Sequence, residues 1–119
     1  MGAFKVKETS KGFVFHLVAG NGEIIGISES YTAKSSCVKG VESVRKNAAA
    51  KVEDLTEGES ATNPKFELFK DKKGQFRFHL KASNGEIILS SEGYSSKEAC
   101  KKGIASVHKN AANAKVTEE

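Results

Sequence analysis

Tryptophan is absent from this chain, proline occurs once, at Pro64, and cysteine twice. No apolar run approaches the roughly 18 residues that a membrane-spanning helix needs. The opening Met1-Gly2-Ala3-Phe4-Lys5-Val6 contains no apolar leader core and no cleavage site, so no secretory signal is expected. Together these absences point to a soluble, cytoplasmic protein with no membrane contact. Cys37 and Cys100 form no CxxC pair and match no metal-ligand spacing, which argues against a redox motif or a zinc site. They read instead as small apolar side chains buried on helices. Aspartate is limited to Asp54 and Asp71, and histidine to His16, His79 and His108. No nucleophile elbow, phosphate loop or dinucleotide fingerprint occurs. The expectation is therefore no catalytic residue, no cofactor, no metal and no enzyme.

What the 119 residues do contain is seven phenylalanines, a hydrophobic fraction of 38% and a charged fraction of 29%. That length fits one domain of ordinary size, with the phenylalanine rings supplying much of its buried area.

The dominant signal is internal repetition. His16-Leu17 returns as His79-Leu80, and Asn21-Gly22-Glu23-Ile24-Ile25 as Asn84-Gly85-Glu86-Ile87-Ile88. Ser28-Glu29 and Tyr31 return as Ser91-Glu92 and Tyr94. Cys37, Lys39-Gly40, Ser43-Val44 and Lys46-Asn47-Ala48-Ala49 return as Cys100, Lys102-Gly103, Ser106-Val107 and Lys109-Asn110-Ala111-Ala112. All of these share one offset of 63, while Phe4 and Gly12 match Phe66 and Gly74 at 62. Residues 3–55 and 65–119 are thus two repeats of a single domain, and residues 56–64, rich in Glu, Ser and Thr, have linker composition.

Each repeat reads as strand-strand-strand-helix-strand. Phe4-Lys5-Val6-Lys7 alternates apolar and polar residues, the period of a half-buried strand. Phe13, Phe15 and Leu17 alternate with Val14, His16 and Val18, and Phe76, Phe78 and Leu80 with Arg77, His79 and Lys81. The second copy assigns the Phe-Phe-Leu face to the interior. Asn21-Gly22 and Asn84-Gly85 fit tight type I′ hairpins. Cys37, Val41, Val44 and Ala48, and their counterparts Cys100, Ile104, Val107 and Ala111, form the apolar stripe of a helix. Ser95 and Glu98 fit a capping box, with Thr32 at the same place in the first copy. Gly40 and Gly103 cost each helix about 1 kcal/mol, which points to close approach of the helix backbone to the sheet. Asn47 and Asn110 suit a left-handed residue at a helix end. One such unit buries too little surface to stand alone. An α+β fold is expected: tandem β-β-β-α-β repeats sharing one mostly antiparallel sheet, with two helices on one face and a pseudo-twofold axis between the copies.

The recurring pattern Phe15-x-Leu17-x-Ala19-x-Asn21-Gly22-Glu23, Ser28-Glu29-x-Tyr31 and Gly40-Val41-x-Ser43-Val44-x-Lys46-Asn47 resembles the repeat of the YegP-like proteins, and residues 78–110 repeat it. The resemblance implies that each final strand, around Val52 and Val116, is exchanged into the other unit. It implies no activity, substrate or catalytic residue.

Two places could bind a partner. One is the outward sheet face carrying Val14, His16, Val18, Arg77, His79 and Lys81. The other is the repeated turn of Ser28, Glu29, Tyr31 and Ser91, Glu92, Tyr94, whose residues also suit turn and cap chemistry. Residues 1–63 hold eight Lys/Arg and eight Asp/Glu, and residues 64–119 hold eleven and seven, so the net charge of +4 lies in the second copy. The favoured reading is a monomeric, non-catalytic protein-interaction or structural module. The alternative is a module binding an anionic ligand or nucleic acid on the exposed sheet, against which stands the lack of outward stacking aromatics. A small-molecule enzyme is the third reading.

Overall fold

Alternating sequence becomes alternating burial in the computed structural model, which describes residues 2–118. In β1 (Ala3–Thr9), Phe4 and Val6 are buried; in β2 (Gly12–Val18), Phe15 and Leu17 are. The second repeat does the same with Phe66 and Leu68 of β5 (Lys65–Lys70) and Phe78 and Leu80 of β6 (Phe76–Lys81). Third strands β3 (Ile24–Ile27) and β7 (Ile87–Ser90) lead to helices α1 (Lys34–Asn47) and α2 (Lys97–Asn110). Final strands β4 (Lys51–Asp54) and β8 (Lys115–Glu118) complete the units.

All strands join one eight-stranded sheet in the order β4-β5-β6-β7-β3-β2-β1-β8. It is antiparallel except at its two edges, where β4 lies parallel to β5 and β8 parallel to β1. Each final strand therefore pairs with the first strand of the other repeat. Two side chains brace the exchange. Arg45 of α1 donates through Nη1 to the carbonyls of Ala112 (3.1 Å) and Ala114 (2.9 Å), just ahead of β8, while its guanidinium covers Phe4. Lys97 at the start of α2 pairs with Asp54 (3.1 Å) at the end of β4.

One continuous core results. Phe4 meets Phe15 edge to face at 5.8 Å, and Phe66 meets Phe78 at 5.9 Å. The two repeats touch in the sheet through the pair Ile27↔Ser90, which are equivalent positions, so the pseudo-twofold axis passes between them. Beneath that pair the equivalents Gly26 and Leu89 also meet. A Cβ on Gly26 would lie 2.5 Å from Leu89 Cγ and 2.7 Å from both its methyls. A duplicated residue facing its own copy cannot be large twice, and here Gly26 cedes the space that Leu89 fills.

Several local expectations are corrected. The hairpins are not type I′, because within these turns only Gly22 (φ 88°) and Gly85 (φ 86°) have positive φ, and among the described residues no non-glycine does. Gly22 N–H bonds Ala19 O, and Asn21 Oδ1 accepts from Glu23 N–H at 3.0 Å. That side-chain bond holds Asn21 right-handed, giving a type I turn followed by a left-handed glycine. Helix α2 is capped by Ser96, whose Oγ accepts from Ala99 N–H at 3.1 Å, one residue later than Ser95. Helix α1 begins after Ala33, not Thr32, and has no side-chain cap. Its start is fixed upstream, where Tyr31 bridges Phe13 with two backbone bonds of 2.7 Å. Asn47 and Asn110 do not take the left-handed conformation. Their amides donate back to the carbonyls of Ser43 (2.8 Å) and Ser106 (2.9 Å). Residues 56–64 are not a loose tether: Leu55–Glu57 is a 3-10 turn, and Ala61 N–H bonds the buried Glu53 carboxylate.

Candidate functional site

Strand register places one residue from each strand in a row across the outward face: Thr117, Lys5, His16, Ile27, Ser90, His79, Glu67 and Glu53. The helices lie on the opposite side with the core. The two halves of this face differ in chemistry because Glu67 of the second repeat stands where the first has Lys5.

In the second repeat the carboxylate of Glu67 gathers the cations. Its Oε1 bonds His79 Nε2, and its Oε2 lies 3.2 Å from both Lys65 Nζ and Lys81 Nζ. Burial alone would raise the Glu67 carboxyl, but the bonds from His79, Lys81 and Lys65 prevail and hold it at about 2. Arg77 Nε bonds Asp71 Oδ2 at 2.7 Å, which keeps the Asp71 carboxyl below its ordinary range. Arg77, His79 and Lys81 are thus all engaged by acids of their own repeat. The row is an internally balanced network, and its cations are not available as a bare positive stripe.

In the first repeat the face is apolar with a basic rim. Val14 and His16 are half-buried. Val18 is buried, at 7% exposure, and does not contribute to an open patch as the alternation implied. The β2–β3 register shifts between Leu17 and Val18, and a bulge re-aims the side chains around it. The exposed apolar residues are Ile24 (39%) and Ile27 (37%) of β3. Lys5 and Lys7 of β1 and Lys115 of the exchanged β8 occupy outward positions toward the edge of this half, and among the described residues none of its outward strand positions carries an acid.

The repeated turns serve the fold. Ser28 Oγ accepts from Phe15 N–H (2.9 Å) and donates to Glu29 O (2.7 Å); Ser91 does the same with Phe78 and Glu92. The Tyr31 and Tyr94 rings stack on Phe15 and Phe78 at 6.4 Å. Their hydroxyls lie under Gly40 and Gly103, where a Cβ would overlap Oη and sit 2.8 Å or 2.9 Å from Cζ. The helix glycines thus admit a tyrosine, not bare sheet. Burial raises both phenols. The Tyr31 phenol then feels Cys37, Glu29 and Glu86, and the Tyr94 phenol Cys100, Glu92 and Glu23. In both, the last of these carboxylates belongs to the other repeat, as interlocked copies require.

A 350 Å³ cavity between β4 and α2 is lined by Val52, Asp54, Glu59, Ile104 and His108, among others. Its acids are occupied: Asp54 pairs with Lys97, and Glu59 accepts from Asp54 N–H at 3.1 Å. Burial, with Asp54 nearby, pushes the neighbouring Cys100 thiol up to about 11, the behaviour of an inert thiol. Cys37 and Cys100 are both free and buried. Among the described residues no cluster of three or more His, Cys, Asp or Glu converges as for a metal ion, and no helix is long and apolar enough to cross a membrane.

The model of a family described as a domain of unknown function, DUF1508, matches residues 9–54 and again residues 71–118. The chain belongs to the DUF1508 family. One match falls within each repeat. Among curated relatives, the UPF0339 protein in the ptx operon 5′ region of Stutzerimonas stutzeri is 37% identical over 98% of this chain and 96% of its own length. The UPF0339 protein YegP of Escherichia coli K12 is 42% identical over 87% and 84%. The solution NMR structure of E. coli yegP, a protein of unknown function, superposes with a TM-score of 0.81 at 38% identity, covering 99% of this chain and 92% of that one. That of UPF0339 protein SO3888 from Shewanella oneidensis gives 0.80 at 35% identity, covering 98% and 90%. Family membership thus carries the fold of the DUF1508 repeat and no activity.

Sequence reasoning missed the acids that engage Arg77, His79 and Lys81, and it missed Ile24 and Ile27. The replacement of Lys5 by Glu67 between the copies was the available signal for the first. The bulge hid the second, because strict alternation cannot expose both residues.

Proposed function

We propose that this chain is a non-catalytic binding module of the cytoplasm, monomeric by itself, which receives a protein partner on the uncovered sheet face of its first repeat. The observation that carries the reading is the exposed pair Ile24 and Ile27 on the face that also holds Val14, with Lys5, Lys7 and Lys115 toward its edge and, among the described residues, no acid at the outward strand positions of that half. An apolar centre with a charged rim is the anatomy of a protein interface. The rim's sign selects a partner segment with apolar side chains flanked by Asp or Glu. Two things support binding over catalysis. The repeated serines have their hydroxyls committed to backbone bonds. The two thiols are buried, in keeping with a reducing compartment.

The test places a photo-crosslinking residue at position 27 and, as a control, at Lys101 on the helix side, in cells expressing the full chain. The expected result is adducts from position 27 only, mapping to acid-flanked apolar segments and lost on Ile24→Asp. Adducts that form equally from both positions, or persist in Ile24→Asp, would refute the proposal.

A further inference from the structure

On the helix side, away from that sheet face, a second feature has chemistry of its own. The β2–β3 turn of the first repeat leans over α2 of the second and leaves a 480 Å³ cleft, whose walls include Asn21, Lys102, Ala105, Ser106, Lys109 and Asn110. Its volume is within the range of small-molecule sites. Lys102 and Lys109 are exposed and have no hydrogen-bond or ion-pair partner among the described residues. They are two helical turns apart, about 10 Å along the axis. Asn21 spends only its carbonyl oxygen, on Glu23 N–H, and leaves its amide N–H groups to donate into the cleft. Ser106 Oγ accepts from Asn110 and keeps its proton to donate. The cleft therefore offers two separated cations with neutral donors between them. Glu23 bounds it, lining an adjoining 230 Å³ cavity with Tyr94.

The pseudo-symmetric place on α1 supplies an internal control. Lys39, Ser43, Lys46 and Asn47 match Lys102, Ser106, Lys109 and Asn110, but Glu42 stands where α2 has Ala105. A carboxylate there sets a negative charge midway between the lysines, and Glu42 is already 3.4 Å from Arg45 Nε. The overhanging turn differs as well, since Asn84 gives its amide to Glu86 at 3.3 Å. Only the α2 cleft has lysines with no acid between them.

We propose that this cleft binds a small organic bisphosphate, with one phosphate on Lys102, the other on Lys109, and a hydroxyl-bearing spacer along Asn21 and Ser106. Separated lysines act on phosphates as point charges, so charge spacing, not sequence or base readout, selects the ligand.

Titration calorimetry on the full chain tests this with fructose 1,6-bisphosphate as the probe, against inorganic phosphate, fructose and a single-stranded oligonucleotide. The bisphosphate is expected to bind one to one, about tenfold tighter than inorganic phosphate, with fructose silent. Lys102→Ala and Lys109→Ala are each expected to weaken it several-fold. Ala105→Glu, an exposed change that copies the α1 side, is expected to abolish it, and Lys39→Ala to leave it intact. Equal affinity for phosphate and bisphosphate, or binding that survives Ala105→Glu, would overturn the assignment. So would an oligonucleotide that binds more tightly through the same two lysines.

Discussion

Exchanging Gly26 and Leu89 perturbs the one place where each repeat meets its own copy. Leu89 is 1% exposed, and its Cγ and methyls stand where a Gly26 side chain would begin. Leu89→Gly empties that space; a buried leucine truncated to alanine costs about 2–5 kcal/mol, and the extra backbone freedom of glycine adds roughly 0.5–1 kcal/mol. Gly26→Leu alone drives four carbons into the occupied volume, at about 1–3 kcal/mol or more. The double variant Gly26→Leu/Leu89→Gly carries one leucine and one glycine with their places reversed. If the axis is a true pseudo-twofold, the two defects cancel, and the interaction energy of the double-mutant cycle approaches the full sum of the two single losses, at least about 3.5 kcal/mol in the stabilising direction. Urea unfolding monitored by circular dichroism gives all four stabilities, provided the m-value stays constant. A double variant as unstable as the sum of the two single losses would refute the shared axis.

Gly40→Ala should destabilise the chain, reversing the roughly 1 kcal/mol that alanine normally gains over glycine in a helix, because its Cβ meets the Tyr31 ring; a rise in melting temperature would contradict this. Ser28→Ala and Ser91→Ala each strand a buried backbone N–H, of Phe15 and Phe78 respectively, and should each cost about 1–3 kcal/mol in chemical unfolding; losses below a few tenths of that would show that another acceptor steps in. The Glu67 carboxyl is held at about 2 against an ordinary 4.5. A depressed folded-state value stabilises above the unfolded value, so this contribution is full above pH 4.5 and disappears as the pH falls through about 2. Its upper bound is roughly 3 kcal/mol. Glu67→Gln should flatten the acid limb of the stability profile, and an unchanged limb would remove Glu67 as its cause.

Much of this fold was legible because duplication reads every ambiguous position twice. Arg77, His79 and Lys81 decided which face of β2 is inside, although Val14 and Val18 hid it, and Phe4, Phe15, Phe66 and Phe78 are the buried rings the alternation required. The final strands could be read locally, but their exchange was legible only through family resemblance, since nothing within Lys51–Asp54 or Lys115–Glu118 says which first strand each pairs with. Local competition defeated the finer readings. The side-chain bond of Asn21 selects the turn type, adjacent serines compete to cap α2, and the bulge beside Val18 takes that residue out of the open patch. The binding surfaces were the least legible. Pairing Glu67 with His79 needs the strand register, and setting Asn21 against Lys102 needs the packing of segments far apart in the chain.

The most direct experiment on the interlock is to express residues 65–119 by themselves and follow sedimentation together with thermal melting. This segment keeps β8 but has no β1 to pair with it, and its β5 has lost β4. Neither edge is complete, so the fragment is expected to be either an unfolded monomer or a dimer that swaps β8 between copies. A monomer that melts in a sharp, cooperative transition would mean that each repeat owns a full core, and that the exchanged strands are ornament.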